Sequence, residues 1–218
     1  MERLFKKRVV PVVTLDKVED AVHVAEALQA GGLDIIEVAF RTAAAELSVC
    51  AIKKAFPKML VGAGTLLDAD QVKRARDAGA QFSVAPGLNE AVVKASLATG
   101  MLFIPGVMTP SEVERALALG CKLQKFFPSS VAGGVEMLKA FAGPYAHTGA
   151  KFIPMGGLNV KNAPDYLKLP IVAAVGGSWI AANKTIAEKN WAQITALTKE
   201  IVEIVATLEA VVRAIEGQ

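Results

Sequence analysis

The feature that most constrains this chain is a rhythm: short apolar runs recur roughly every 20–30 residues, and a stretch of helical periodicity follows each one. Val9–Val13 reads as a strand and Val18–Ala30 as a helix closed by Gly31-Gly32. Ile35–Phe40 comes next, then a helix from about Ala44 to Phe56 that Pro57 stops. Leu60–Gly64 precedes Asp68–Ala78, Phe82–Ala85 precedes Asn89–Thr99, and Met101–Ile104 precedes Ser111–Leu119. Leu123–Phe127 precedes Gly134–Phe141, Lys151–Pro154 precedes Val160–Leu167, and Ile171–Val175 precedes a long helix reaching about Ile215. Strand-then-helix repetition builds parallel βαβ units. About eight of them fill the chain with no Pro/Gly/Ser linker, which predicts an α/β fold, a single (β/α)8 barrel over residues 1–218. The open doubly wound alternative calls for a dinucleotide fingerprint. Its nearest candidate, Gly62-Ala63-Gly64-Thr65-Leu66-Leu67, has Leu67 where the third glycine belongs, and no acidic residue about 20 positions on ends a strand.

Composition excludes several functions. Hydrophobic residues make up 53% of the 218, ample for a core, and charged residues 21%. The 24 basic and 21 acidic side chains are interspersed and leave a net charge of +3. No stretch concentrates enough Lys and Arg to track a phosphate backbone, so no nucleic-acid partner is expected. No apolar run reaches the roughly 18–20 residues of a membrane span, so no membrane partner is expected. The basic start runs into an apolar segment that ends at Asp16 without a small-residue cleavage site, which reads as a strand and not a signal peptide. Cys50 and Cys121 have no metal-ligand spacing and read as reduced thiols of a cytoplasmic protein.

In a parallel barrel the chemistry sits at the carboxyl ends of the strands, and the rest of the interior is branched and apolar. Polar residues inside strands are therefore informative. In Ile35-Ile36-Glu37-Val38-Ala39-Phe40-Arg41 a period of two puts Glu37, Ala39 and Arg41 on one face. In Leu123-Gln124-Lys125-Phe126-Phe127 a lysine stands among large apolar residues, including Phe127. Burying Glu37 and Lys125 unpaired would cost several kcal/mol each, so they pair with each other or with Arg41. A structural ion pair is one reading. The functional one is that desolvation and a neighbouring Arg both disfavour the ammonium, lowering the Lys125 pKa from about 10.4 toward the 7–8 that a nucleophilic amine needs.

Two glycine pairs, Gly156-Gly157 after the seventh strand and Gly176-Gly177 after the eighth, match the usual phosphate site of such barrels. Ser178 either caps the following helix or donates to a phosphate oxygen. Thr65, at the end of the third strand, either binds a carboxylate or caps its helix. Pro86 and Pro105 look like turn-formers that shape the pocket floor, and Ser129-Ser130 reads as a helix cap. His23 and His147 share no spacing with carboxylates, so no metal site is expected.

The segments IIEVAFRT, VGAGT, APG, IPG, KFFPSS and VGGSW, in this order, resemble the 2-keto-3-deoxy-6-phosphogluconate (KDPG) aldolases and the related 4-hydroxy-2-oxoglutarate (KHG) aldolases. The likeness runs from Val10 to about Ile180 and includes GGVEMLKAFAGP. It implies a class I aldolase barrel without a cofactor. Lys125 would form an imine with C2 of a 2-oxo acid, Arg41 and Thr65 would hold the carboxylate, and Glu37 would shuttle protons. Gly156, Gly157, Gly176, Gly177 and Ser178 would hold the phosphate of a small 2-oxo acid phosphate, and a homotrimer is implied. Met155 departs from the Thr common in the gluconate-type enzymes. The galactonate-type relatives carry an aliphatic residue there but usually lack the equivalent of Arg41. The competing functions are a galactonate-type aldolase, a phosphosugar isomerase or epimerase using Glu37 as a base, and a non-catalytic phosphosugar-binding barrel.

Overall fold

In β1 (Val9–Val13) neighbouring side chains belong to different cores: Val10 and Val12 join one apolar cluster, Val9 and Val13 another. The same split recurs in β2 (Ile35–Ala39), where Ile35 and Ala39 face one way and Ile36 and Val38 the other. This is the period of two of an extended chain, with both faces buried. The structure, a computed structural model that describes residues 2–216, continues with β3 (Leu60–Gly64), β4 (Phe82–Val84) and β5 (Leu102–Ile104). β6 (Gly106–Val107), β7 (Leu123–Phe126), β8 (Lys151–Pro154) and β9 (Val175–Gly177) complete the strands. All pair in parallel, in the orders β5-β4-β3-β2-β1-β9 and β6-β7-β8.

Both groups of strands curl toward each other. β5 and β6 are one run interrupted by Pro105, which has no N–H for the ladder. On the far side the amide of Phe152 donates to Ile171 O at 2.8 Å, and that of Ala173 to Phe152 O at 2.9 Å, so residues 171–173 dock on β8 just ahead of β9. The Arg8 guanidinium clasps this seam, donating to Leu167 O at 2.7 Å and Val172 O at 3.2 Å. Inside the curl lie Val10, Val12, Ile35, Phe82, Val84, Ile104, Leu123 and Ile153. Outside it, the opposite faces pack on the helices.

Those helices are α2 (Val18–Ala30), α3 (Ala45–Ala55), α4 (Ala69–Asp77), α5 (Glu90–Ala98), α6 (Pro110–Ala118) and α7 (Gly134–Tyr145). α8 (Ala163–Leu167), α9 (Asn183–Ala187) and α10 (Trp191–Glu216) follow. Caps set several starts: Asp68 accepts from Gln71 N, Asn89 from Ala91 N, and Thr109 forms a capping box with Glu112. The expected long last helix is two, because Lys189 adopts a left-handed φ of 53° and Asn190 accepts from Gln193 N at the next start. α8 begins later than expected because Asn159 and Asn162 bind backbone amides and hold a turn ahead of it. The expected capping by Ser129-Ser130 is replaced by Gly133 at the start of α7, which makes no side-chain cap, while Ser129 bonds the Tyr166 hydroxyl. The expected domain ends, residues 1 and 217–218, lie outside the described residues.

One element escaped the sequence reading: α1 (Glu2–Lys7), six residues ahead of β1. Less than two turns carry no legible periodicity, and its basic residues masked Leu4 and Phe5. Leu4 is buried, and with Phe82, Leu60 and Leu102 it closes the amino end of the curled sheet. Leu4→Ala is expected to lower the unfolding free energy by about 2–5 kcal/mol. A urea denaturation midpoint unchanged from the parent would show that α1 does not plug the core.

Candidate functional site

Glu37 is the third residue of β2 and Lys125 the third of β7, and both point into the curl. Glu37 is 0% exposed and Lys125 4%, with Lys125 Nζ 3.9 Å from Glu37 Oε1. Neither carboxyl oxygen has a hydrogen-bond partner among the described residues. Burial pushes the Glu37 carboxyl above the usual carboxylate range, against the pull of Lys125 and Arg41. Burial likewise pushes the Lys125 amine down; Glu37 opposes the shift and Arg41 adds to it. Both changes favour the neutral forms. The amine also sits 5.0 Å from the centroid of the Phe127 ring.

Arg41 follows the end of β2, past a tight turn closed by its own amide on Ala39 O at 2.8 Å. Its exposed side chain reaches across to β3, where Nε donates to Thr65 Oγ1 at 3.0 Å. Thr65 has a φ of 59°, a left-handed conformation that a β-branched residue adopts only when its surroundings force it. It does not cap α4, since Asp68 does. Its hydroxyl is committed to Arg41.

One cavity of about 470 Å³ opens onto Lys125. It is lined by Arg41, Phe127, Met155, Gly156, Gly157, Gly177 and Ser178, which the sequence singled out. Gly156 and Gly157 take positive φ angles of 93° and 79°, reserved in practice for glycine. Ser130 N donates to Gly156 O and Asn162 Nδ2 to Gly157 O, and the amides of both glycines make no hydrogen bond among the described residues. Ser178 does not cap α9, whose N-cap is Ala182, and stands free in the turn after β9.

Five expected residues stand off the wall. Glu37 is behind Lys125, and Thr65 behind Arg41. Pro105 accepts the Lys125 amide at 2.8 Å, and Pro86 O crowds the α-carbon of Gly106, so both shape the neighbouring backbone and not the cavity floor. Gly176 faces inward, where an added Cβ would lie 2.4 Å from Met155 Cε. It makes room for Met155. Conversely Val12, Thr14, Leu158, Trp179, Ala182 and Asn183 line the cavity without having been expected. Thr14 was legible in principle, since Val10, Val12 and Thr14 share the inward period of β1. Trp179 and Asn183 are placed by the turn after β9, which no local pattern foretells.

His23 stacks on Trp191, centroids 5.5 Å apart. Among the described residues no group of three His, Cys, Asp or Glu could hold a metal ion, and no helix is long and apolar enough to cross a membrane.

A curled parallel sheet with a lysine buried beside a carboxyl in its interior is the class I aldolase arrangement. The family can be named: the model for KDPG and KHG aldolase matches residues 1–197, and the chain belongs to that family. A 2-dehydro-3-deoxy-phosphogluconate aldolase of Treponema pallidum is 44% identical over 95% of this chain and 98% of its own. The KHG/KDPG aldolase of Escherichia coli is 42% identical over 89% and 91%. The crystal structure of KDPG aldolase from Legionella pneumophila, with pyruvate captured at low pH as a covalent carbinolamine, superposes with a TM-score of 0.88. It is 40% identical and covers 91% of this chain and 96% of that one.

The raised Glu37 pKa has a consequence for stability. Between the ordinary value, about 4.3, and the folded value, the folded chain keeps a proton that the unfolded chain has released. The contribution of this group is therefore present at low pH and lost as pH rises. Glu37→Gln, a mimic of the neutral acid, should not show that loss. In urea denaturation from about pH 4 to pH 8, the parent is expected to decline relative to Glu37→Gln. Parallel curves would refute the assignment.

Proposed function

We propose that this protein is a Schiff-base aldolase that cleaves 2-dehydro-3-deoxy-6-phosphogluconate to pyruvate and D-glyceraldehyde 3-phosphate. By the same chemistry it cleaves 4-hydroxy-2-oxoglutarate to pyruvate and glyoxylate. The observation that carries the reading is the near-complete burial of Lys125 beside a buried carboxyl, on the wall of a cavity that two glycine-rich loops also line.

The neutral Lys125 amine attacks C2 of the 2-oxo acid to give a carbinolamine. Glu37, whose burial favours the protonated acid, donates to the departing hydroxyl, so water leaves and a protonated imine forms. The resulting Glu37 carboxylate accepts the proton of the C4 hydroxyl. The C3–C4 bond breaks, its electron pair moves into the imine, and the aldehyde departs from an enamine of pyruvate. Protonation at C3 and addition of water then release pyruvate and restore Lys125. Arg41 holds the substrate carboxylate, its Nε anchored on Thr65 so that the outer N–H groups form a fork. The free amides of Gly156 and Gly157, with Gly177 and Ser178, hold the phosphate. Gly176 acts on this pocket only through its backbone and through the room it gives Met155.

The proposal extends to architecture. Counting β5 with β6, and residues 171–177 as one strand, makes eight staves of a single (β/α)8 domain. A homotrimer in the cytoplasm completes it. Two unpaired cysteines fit a reducing compartment. The exposed Leu47, Leu67, Met108 and Val131 offer apolar surface for an assembly to cover.

Pyruvate plus borohydride is expected to leave a reduced adduct on Lys125, read by peptide mass spectrometry. Lys125→Ala should lack it and lose turnover, and Glu37→Gln should lose about 10²–10⁴-fold in kcat. Lys125→Ala at the parental rate would end the proposal, since an isomerase or a binding barrel predicts no adduct. Met155 brings no hydroxyl to the sugar side of the cavity, so both C4 epimers of the substrate are expected to be cleaved at comparable kcat/KM. Strong discrimination between them would count against this part.

A further inference from the structure

β3 offers almost nothing to the interior it lines. Its inward positions are Leu60, Gly62 and Gly64, and neighbours occupy the space beside both glycines. A Cβ on Gly62 would lie 2.2 Å from the Phe82 ring. A Cβ on Gly64 would lie 2.0 Å from Glu37 Oε1, 2.8 Å from Cδ and 2.9 Å from Cγ. In register Glu37 is level with Gly62 and Ala39 with Gly64. The Glu37 side chain therefore leans one inward position toward the carboxyl ends of the strands and lies over the bare α-carbon of Gly64.

No hydrogen bond among the described residues holds either carboxyl oxygen there. What bounds the group is van der Waals contact with the β3 backbone on one side and Lys125 Nζ, 3.9 Å from Oε1, on the other. We infer that Gly64 is a positioning residue of the reaction, its missing side chain forming the seat that keeps the Glu37 carboxyl opposite the Lys125 amine. The inference rests on the reading of Glu37 as the proton shuttle. Gly64 is not among the glycines with positive φ, so alanine there meets no backbone strain and its effect falls on Glu37. Displacing a proton-transfer group by about 1 Å is enough to cost on the order of 10²-fold in rate.

The test uses the full chain and four variants: Gly64→Ala, Glu37→Asp, their combination, and Glu37→Gln. Gly64→Ala is expected to lower kcat by about 10²-fold, with KM for the phosphorylated substrate little changed and the pyruvate–borohydride adduct still formed on Lys125. Aspartate, one methylene shorter, withdraws the carboxyl from the added Cβ, so the double variant should turn over faster than Gly64→Ala alone. Parental kcat in Gly64→Ala would overturn the inference, as would a Glu37→Asp effect equal in both backgrounds. If Glu37→Gln is impaired and Gly64→Ala is not, only the seat is lost; if Glu37→Gln matches the parent, the shuttle reading itself falls. Should Gly64→Ala not fold, the same change is made in Glu37→Ala. There the thermal midpoint should not move, and a loss as large as in the parent would show that the seat is not Glu37's.

Discussion

The interior of this protein is organised around the cost of placing a lysine and a glutamate out of water. Desolvating either ion costs several kcal/mol, and a separation of 3.9 Å without further hydrogen bonds recovers only part of it. Burial shifts both groups toward the neutral state, with the proton on Glu37 and off Lys125. That state is also the reactive one. An amine with a free lone pair can attack a carbonyl, and a neutral acid beside it can protonate the departing hydroxyl. The low dielectric that makes the pair expensive to bury is what prepares it for chemistry.

Around this pair the site is made as much from missing atoms as from side chains. Gly62 leaves room for Phe82, Gly64 for the Glu37 carboxyl, and Gly176 for Met155. Each interlocks one strand with the next, so two inward positions of β3 are filled from neighbouring strands. The outer loop works differently. Gly156 and Gly157 spend their carbonyls on Ser130 and Asn162, while their amides make no hydrogen bond among the described residues and both glycines line the cavity.

Arg41 and Thr65 couple the buried centre to the open mouth. Thr65 sustains a left-handed φ of 59°, a conformation that costs a β-branched residue about 1–3 kcal/mol. The strand end it belongs to is held by Leu66 N on Val84 O at 3.1 Å and by Phe40 N on Gly64 O at 2.8 Å. With that backbone held, the Thr65 hydroxyl orients a guanidinium that is otherwise exposed. An exposed arginine tethered at one nitrogen loses less freedom on meeting a carboxylate than a loose one would.

The sequence by itself determined the parallel α/β architecture, since apolar runs such as Val9–Val13 followed by helical stretches such as Val18–Ala30 are local patterns of period 2.0 and 3.6. It also exposed Glu37, Arg41 and Lys125, because a charge inside an apolar strand is an anomaly visible without coordinates. Short or irregular pieces were less legible: α1 is too brief for periodicity, and the break at Lys189 depends on one backbone angle. Only the tertiary structure decided that Glu37 and Lys125, 88 positions apart by their numbers, meet at 3.9 Å. It alone decided that Thr65 serves Arg41 and not a helix, that Gly176 serves Met155, and that Thr14, Trp179 and Asn183 share the cavity. These facts depend on which strands become neighbours and how far each is shifted, and such long-range distances are set by packing the whole sheet, not by any local run of residues.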